Sequence, residues 1–474
     1  MAEVHHHATL TPTKLELLPD WMARQRWYAA KGHQPRLRSL WSWRLDDPSG
    51  AVGIEILVVA DDSGTRPVVY QVPLTYRGAP LEGADHALVG TLQHSVLGRR
   101  WVYDAPHDPV FTTQLLELVL GRVTAQAGSV SDTPEPAVVA RCAAVAPDLR
   151  VLDSHVLSGE QSNTSVIYDA VDTAGAPRPV IGKLFRVLHC GENPDVVLQT
   201  ALAEAGCDRV PTPVGDVSAA WPDESVAGGT ARGHVAFVQE FLPGVQDAWR
   251  EALAAAHEDR DFSAGARALG RATAEVHQVL ATVLPTEAPT PQQKSELVER
   301  MRARLRDAIA SVPSLAGAAD AVDDLYVAAE RADWPVLQRI HGDYHLGQVL
   351  DAPGRGWVLL DFEGEPMRPL AERSEPDVAL RDVAGMLRSL DYAAGSVAKD
   401  NGLDRARWAT AARTAFLEGY GESAGRDPRA DAPVLDALEL DKALYEVVYE
   451  AHNRPSWISI PTTAIARLVA GSRS

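Results

Sequence analysis

A chain of 474 residues, 46% hydrophobic and 23% charged, has the length for two or three domains and the proportions of a globular protein. Its formal net charge of −19 excludes the basic footprint that nucleic-acid binding requires. Three cysteines without a CxxC pair argue against disulfides and zinc, and the lack of an apolar leader or membrane-length run predicts a cytoplasmic protein with no membrane partner.

In chain order, residues 1–145 read as one α/β unit that ends in a linker. It opens on an amphipathic segment rich in Trp and Arg at 15–27. Apolar runs at 53–60 and 67–72 predict strands, and Asp-Asp-Ser-Gly at 61–64 predicts the turn between them. A helix is predicted at 112–125, and the Gly, Ser, Asp and Pro of 126–137 read as the linker. Residues 146–242 form a second, β-rich stretch with strands expected at 163–170, 179–185 and 234–241. Residues 243–474 are rich in Ala, Arg, Glu and Leu and are expected to be helical, apart from one interruption at 336–365. There, two apolar runs, 336–340 and 357–360, flank polar clusters. A β-rich middle followed by a helical half with one β interruption is the outline of a two-lobed kinase, with a small lobe, a hinge and a large lobe carrying the catalytic loop. The expected fold class is therefore α+β and bilobal.

The sharpest chemical feature sits in that interruption. His341-Gly342-Asp343-Tyr344-His345-Leu346-Gly347-Gln348 is followed, beyond the next apolar run, by Asp361-Phe362-Glu363-Gly364-Glu365. Phosphoryl transfer needs a carboxylate to orient the acceptor hydroxyl and take its proton, and oxygen ligands to hold Mg²⁺ on the phosphates of ATP. Asp343 suits the first task. Gln348 and Asp361 suit the second. Either motif alone reads as a turn or a strand end; together, with strands on both sides, they point to catalysis. His341 reads as a brace for the loop backbone, and His345 as either a substrate contact or a structural group.

The nucleotide side is less sharply marked. Ser158 to Ser165, which includes Ser162 and Asn163, is a polar turn that either lets backbone N–H groups approach phosphates or is a plain surface loop. It matches neither a Walker A nor a GxGxxG pattern. Lys183 lies on the next apolar run, where an unpaired ammonium is costly, and so is a candidate phosphate ligand. Gln239, Glu240 and Leu242 mark the end of a strand, where a hinge contacts adenine through its backbone. Arg381-Asp382 opens a helix of apolar periodicity and reads as an ion pair bracing the catalytic loop. The run from Tyr445 to Ile458 carries Glu446, Glu450, His452, Asn453 and Trp457. It reads either as a sugar site, rich in aromatic, acidic and amide groups, or as a Tyr/Trp core stripe.

At these residues, and at Trp21 to Gly32 and Gly191-Glu192-Asn193-Pro194-Asp195, the chain resembles the actinobacterial maltokinases, within the aminoglycoside-phosphotransferase-like branch of the kinase fold. The likeness spans nearly the whole chain. It implies an N-terminal cap subdomain with linker at 1–145, a nucleotide-binding intermediate subdomain at 146–242 and a helical lobe with catalytic loop and acceptor site at 243–474. Tyr344 and His452 stand where maltokinases usually show Leu and Arg, and Ile458-Ser459 stands where they continue Leu-Pro. An acidic residue common near Val197 is absent, so Asp195 or Glu204 is left to pair with Lys183. An intact catalytic set beside an altered acceptor run is similar to the related glucosamine kinases. The resemblance implies transfer of the ATP γ-phosphoryl group to glucosamine, giving glucosamine 6-phosphate. The sequence does not fix the oligomeric state, and a monomer is favoured. The alternatives are a maltokinase, an aminoglycoside phosphotransferase and a pseudokinase that binds without turnover.

Overall fold

The computed structural model describes residues 8–471 apart from 131, 145, 147, 160, 161, 366 and 367. They divide into two compact units, one within 8–196 and 212–243 and the other within 197–211 and 244–471.

The first unit holds two antiparallel sheets. One has seven strands in the order Leu10–Thr11, Leu88–His94, Gly98–Asp104, Val68–Arg77, Gly53–Asp61, Leu37–Leu45 and Gln126–Ala127. Its centre is the pair predicted from the two apolar runs, with Ile56 opposite Pro73 and Val58 opposite Gln71. Nearly every residue of Gly53–Asp61 is buried, which explains why this strand shows as a continuous apolar run rather than an alternation. Asp61 fixes the turn: its carboxylate accepts from the Arg36 and Ser63 N–H groups and from the Tyr28 and Ser63 hydroxyls. The segment expected at 15–27 is helical only over Lys14–Met22, where Thr13 and Glu16 form a capping box, yet Trp27 still packs 5.6 Å from Trp21 in the same core. Part of the expected linker, Gln126–Ala127, is an edge strand paired with Trp43 and Arg44.

The other sheet has six strands in the order Val138–Cys142, Pro213–Pro222, Thr230–Glu240, Val180–Phe185, Asn163–Asp172 and Leu149–Val156. Three of its four inner strands are those read from sequence; the fourth, Pro213–Pro222, is mostly buried. The two edge strands carry half-exposed, mixed patterns with no clear periodicity. Gln71 joins the two sheets by donating to Phe185 O (3.3 Å) and Val235 O (2.9 Å). Beside it the fully buried Arg186 donates to Asp104 (2.7 Å) and Thr164 Oγ1 (2.8 Å) under the Trp27 ring. A buried cation is tolerated only with such partners.

The second unit is mainly helical. Leu380–Asn401 buries Val383, Met386, Leu387, Leu390, Ala394 and Val397 at helical spacing and stops at Gly402, which takes the left-handed conformation that ends many helices. Truncating a core residue such as Leu387 to Ala costs about 2–5 kcal/mol. Ser263–Val283, Ala406–Ala424 and Ala432–Asn453 complete the core around it. The β interruption is a hairpin, Val349–Ala352 with Gly356–Leu359, and a two-residue pairing of Leu337–Gln338 with Asp377–Val378. The run expected as a strand at 336–340 is this short because the chain leaves it at once for the loop bonded to Asp382. The α+β class expected from the sequence is the one observed. Among the described residues, no helix is long and apolar enough to cross a membrane.

Candidate active site

The loop carrying Asp343 is hung from one helix. Asp382, in the first turn of Leu380–Asn401, accepts from the backbone N–H groups of His341 (2.8 Å) and Gly342 (2.9 Å) and from His277 Nε2 (3.0 Å). Seven residues along the same helix, Ser389 Oγ accepts from Leu346 N–H at 3.1 Å. Burial pushes the Asp382 carboxyl up, but these donors outweigh it and hold the group below its ordinary range. Asp382 is thus the expected brace, although Arg381 is not its partner. Arg381 instead pairs with Asp377 at 2.6 Å and lies 3.8 Å from Asp441. His341 also has its expected role: it is buried, its Nε2 bonds Leu360 O at 2.8 Å and its ring lies 4.7 Å from Phe362. Gly342 adopts φ +84°, and a Cβ there would stand 3.3 Å from Gly364 Cα, so only glycine lets the two loops meet.

Asp361 lies at the end of the hairpin with φ +63°, a left-handed conformation that Asp enters more readily than most side chains. The turn buries Phe362 completely while Asp361 stays half-buried next to Gln348, whose Nε2 donates to Asp361 Oδ2 at 3.1 Å. The two oxygen-bearing side chains read as metal ligands are therefore neighbours.

Asp343 faces a cavity of about 600 Å³. Lys442, Glu446 and Glu450 line it from one face of Ala432–Asn453, one turn apart, with His345, Tyr392, Tyr445 and Trp457 also in its wall. Lys442 Nζ stands 3.3 Å from Asp343 Oδ1 and 2.8 Å from Glu365 Oε1. Burial disfavours its charge, but Glu365 and Asp343 more than compensate and keep it protonated. Glu446 Oε2 receives Arg388 Nε (3.0 Å) and Nη2 (2.7 Å), both bonds falling on one oxygen. Glu450 receives Tyr392 OH at 3.1 Å and Arg454 Nη2 at 2.6 Å. His345 Nδ1 accepts from Gly347 N–H at 3.0 Å, and burial holds the ring below its ordinary pKa.

Several residues read from the acceptor run fall elsewhere. His452 and Asn453 are exposed and outside the cavity wall; their side chains bond back to Val448 O (2.7 Å) and Tyr449 O (2.8 Å) of their own helix. Tyr344 is a core residue, 3% exposed and bonded to Thr273 Oγ1 at 2.8 Å. Asp441, ahead of that run on the same helix, is buried on Arg304 at 2.6 Å. Glu446 stays in the cavity wall, paired with Arg388 at 2.7 Å. Lys442, on the cavity wall, and Arg388, behind Glu446, are not among the residues read from the sequence. Lys442 carries a signal there, because 442, 446 and 450 share one helical face.

In the first unit, Lys183 lies on Val180–Phe185 opposite Ser165 and Phe237, and its Nζ meets the fully buried Asp195 at 2.8 Å. Ser162 and Asn163 lead into the neighbouring strand, with Asn163 opposite Phe185; Glu160 and Gln161 of the same turn lie outside the described residues. Gln239 and Glu240 end Thr230–Glu240. The Glu240 N–H is bonded to Thr212 O and the Phe241 N–H to Pro179 O, and Leu242 follows in the loop.

Residues 198–438 match the phosphotransferase enzyme family and residues 21–108 match the maltokinase N-terminal cap domain. The glucosamine kinase of Streptacidiphilus jiangxiensis is 30% identical over 294 residues, 57% of this chain and 64% of the relative. That of Mycolicibacterium smegmatis is 32% identical over 254 residues, 50% of this chain and 63% of the relative. The alignments thus span less than two thirds of either relative's length. A solved glucosamine kinase in complex with glucosamine, ADP and inorganic phosphate superposes with TM-score 0.68 at 24% identity, covering 97% of this chain and 99% of its own; at this identity the likeness is one of fold.

Proposed function

This chain belongs to the phosphotransferase enzyme family, and on that footing we propose that it is an ATP- and Mg²⁺-dependent kinase that phosphorylates glucosamine to glucosamine 6-phosphate. The observation that carries the reading is the convergence of Asp343 with Glu446, Glu450 and Trp457 on one cavity of about 600 Å³. Asp343 takes the proton of the sugar hydroxyl as its oxygen attacks the γ-phosphorus of ATP. The new O–P bond forms while the bond to the β-phosphate oxygen breaks, and ADP leaves. Lys442, 3.3 Å away, orients the carboxylate. Lys183, held by Asp195, binds the α- and β-phosphates, Ser162 and Asn163 flank them, and the backbone at Gln239, Glu240 and Leu242 receives adenine.

Asp361 and Gln348 fit a magnesium ion, being adjacent hard-oxygen donors, with the amide oxygen presented by a half-turn of the Gln348 side chain. Bound there, the ion would offset the negative charge of the phosphates. The aromatic wall offers apolar faces to a sugar ring. Both Arg388 bonds fall on Glu446 Oε2, so Oε1 remains to accept from a substrate ammonium. A site that hydrogen-bonds one substrate group rejects the analogue lacking it.

The test is an ADP-release assay with glucosamine, glucose, N-acetylglucosamine, maltose and an aminoglycoside. The expected result is a kcat/KM for glucosamine well above the rest. Maltose as the best acceptor with glucosamine inert would overturn the substrate assignment. ADP release with none of them would count against a sugar kinase.

A further inference from the structure

One buried polar cluster of the first unit plays no part in the chemistry above. His234 sits on Thr230–Glu240 with its side chain 8% exposed. Its Nδ1 is 3.0 Å from the backbone nitrogen of Asn193. An N–H donor at that distance requires a bare, accepting Nδ1, so the ring proton is on Nε2, which stands 3.6 Å from Asp216 Oδ1 on the adjacent strand Pro213–Pro222.

Asn193 is the last residue before the helix Pro194–Glu204. Its Oδ1 accepts from the Asp195 N–H at 2.9 Å, as a helix cap does. Asn193 is thus held at its N–H by His234 and at its side chain by the helix, and the next turn carries Asp195, whose carboxylate holds Lys183. The backbone here is pressed together. Gly191 N–H donates to Arg232 O at 2.8 Å, and a Cβ at Gly233 would lie 2.2 Å from His189 O.

We propose that His234 is a positioning residue for the nucleotide: neutral, with its proton on Nε2, it fixes Asn193 and Asp195, and through them the reach of Lys183 toward the phosphates. Protonation turns the acceptor at Nδ1 into a donor facing a donor and releases the segment, so acid weakens nucleotide binding. The inference rests on reading Lys183 as the phosphate ligand. The charged groups facing the ring are Asp216, Glu192 and Arg141. Burial lowers the His234 pKa, opposed by Glu192 and aided by Arg141, and so keeps the ring neutral at pH 7. Burial pushes the Asp216 carboxyl up to about 6, and its Oδ1, 3.6 Å from Nε2, faces the ring as a nearby charge beyond hydrogen-bond distance.

Calorimetry of Mg·ATP binding to the full chain at about pH 7.5 and about pH 5.5 tests this, using His234→Leu, which removes the acceptor, and His234→Asn, whose amide oxygen replaces Nδ1 without titrating. His234→Leu should weaken ATP by about tenfold at the higher pH and leave the KM for sugar unchanged, an effect of the size expected for one lost bond to a buried donor. His234→Asn should restore near-wild-type affinity, and its affinity should fall less on acidification than that of wild type. The titration of ATP itself cancels in that comparison. Wild-type affinity in His234→Leu, or equal pH slopes for wild type and His234→Asn, would overturn the proposal. If His234→Leu does not fold, the pH comparison decides alone. If Lys183→Met binds ATP as tightly as wild type, the reading of the nucleotide site fails and the proposal falls with it.

Discussion

Replacing Asp382 with Asn tests how the catalytic loop is held. The carboxylate accepts three bonds, from His341 N–H and His277 on Oδ2 and from Gly342 N–H on Oδ1. An amide keeps one oxygen and turns a donor toward whichever N–H the other oxygen served. The two retained bonds each weaken by about 1 kcal/mol on losing the charge, and the third, with its stranded donor, costs about 2 kcal/mol. Relief from burying a carboxylate offsets part of this, leaving a net loss of about 2–4 kcal/mol. At about 2–4 °C per kcal/mol for a unit of this size, the melting temperature should fall by about 4–16 °C. A loop displaced by about 1 Å should also cost kcat up to about 100-fold, with ATP affinity spared. The pH dependence supplies a second readout. The folded carboxyl is held below its unfolded value, so its contribution is present above about pH 4 and is lost as pH falls through the lower folded value. Asn at 382 should therefore lower stability at neutral pH and flatten the acid limb. Thermal melts across pH with initial rates check both. A variant matching wild type in melting temperature, acid limb and kcat would refute the argument.

Asp343→Ala should lower kcat by at least about 100-fold while calorimetric ATP affinity stays unchanged; a collapse of ATP binding would mean the residue serves the nucleotide or the fold. Asp361→Asn should raise the Mg²⁺ concentration needed for half-maximal turnover and nearly abolish activity when Mg²⁺ is limiting, and wild-type turnover under that condition would remove Asp361 from the metal site. Glu446→Gln should narrow the preference for glucosamine over glucose without changing ATP affinity, measured as the ratio of kcat/KM values. It should also lower the melting temperature, because the buried Arg388 keeps Asp391 but loses its charged partner at 446. An unchanged sugar ratio with a lowered melting temperature would reduce Glu446 to an ion-pair partner.

What the sequence by itself determined is local. Asp343, Gln348 and Asp361 were legible as candidates because phosphoryl transfer demands particular residue types at short spacing along one loop, hairpin and loop. Such segments reveal themselves by their flanking apolar runs. That Glu446 and Glu450, four residues apart, share a face follows from helical geometry alone. The rest depended on which distant elements pack together. Asp195 was chosen over Glu204 because the helix begins at Pro194; Glu204 lies nine residues further along, about 14 Å at the rise of a helix. Arg388 took Glu446 because Leu380–Asn401 crosses Ala432–Asn453 there, a pairing across 58 residues that no spacing rule foretells. His452 and Asn453 carry suitable chemistry, but the last helical turn bonds them to their own backbone, while Trp457, beyond the helix end, folds back to the cavity. Composition and period specify what a residue offers and which neighbours on its own element share its face. Only tertiary packing decides which of those offers are already taken by a buried partner and which remain for a ligand.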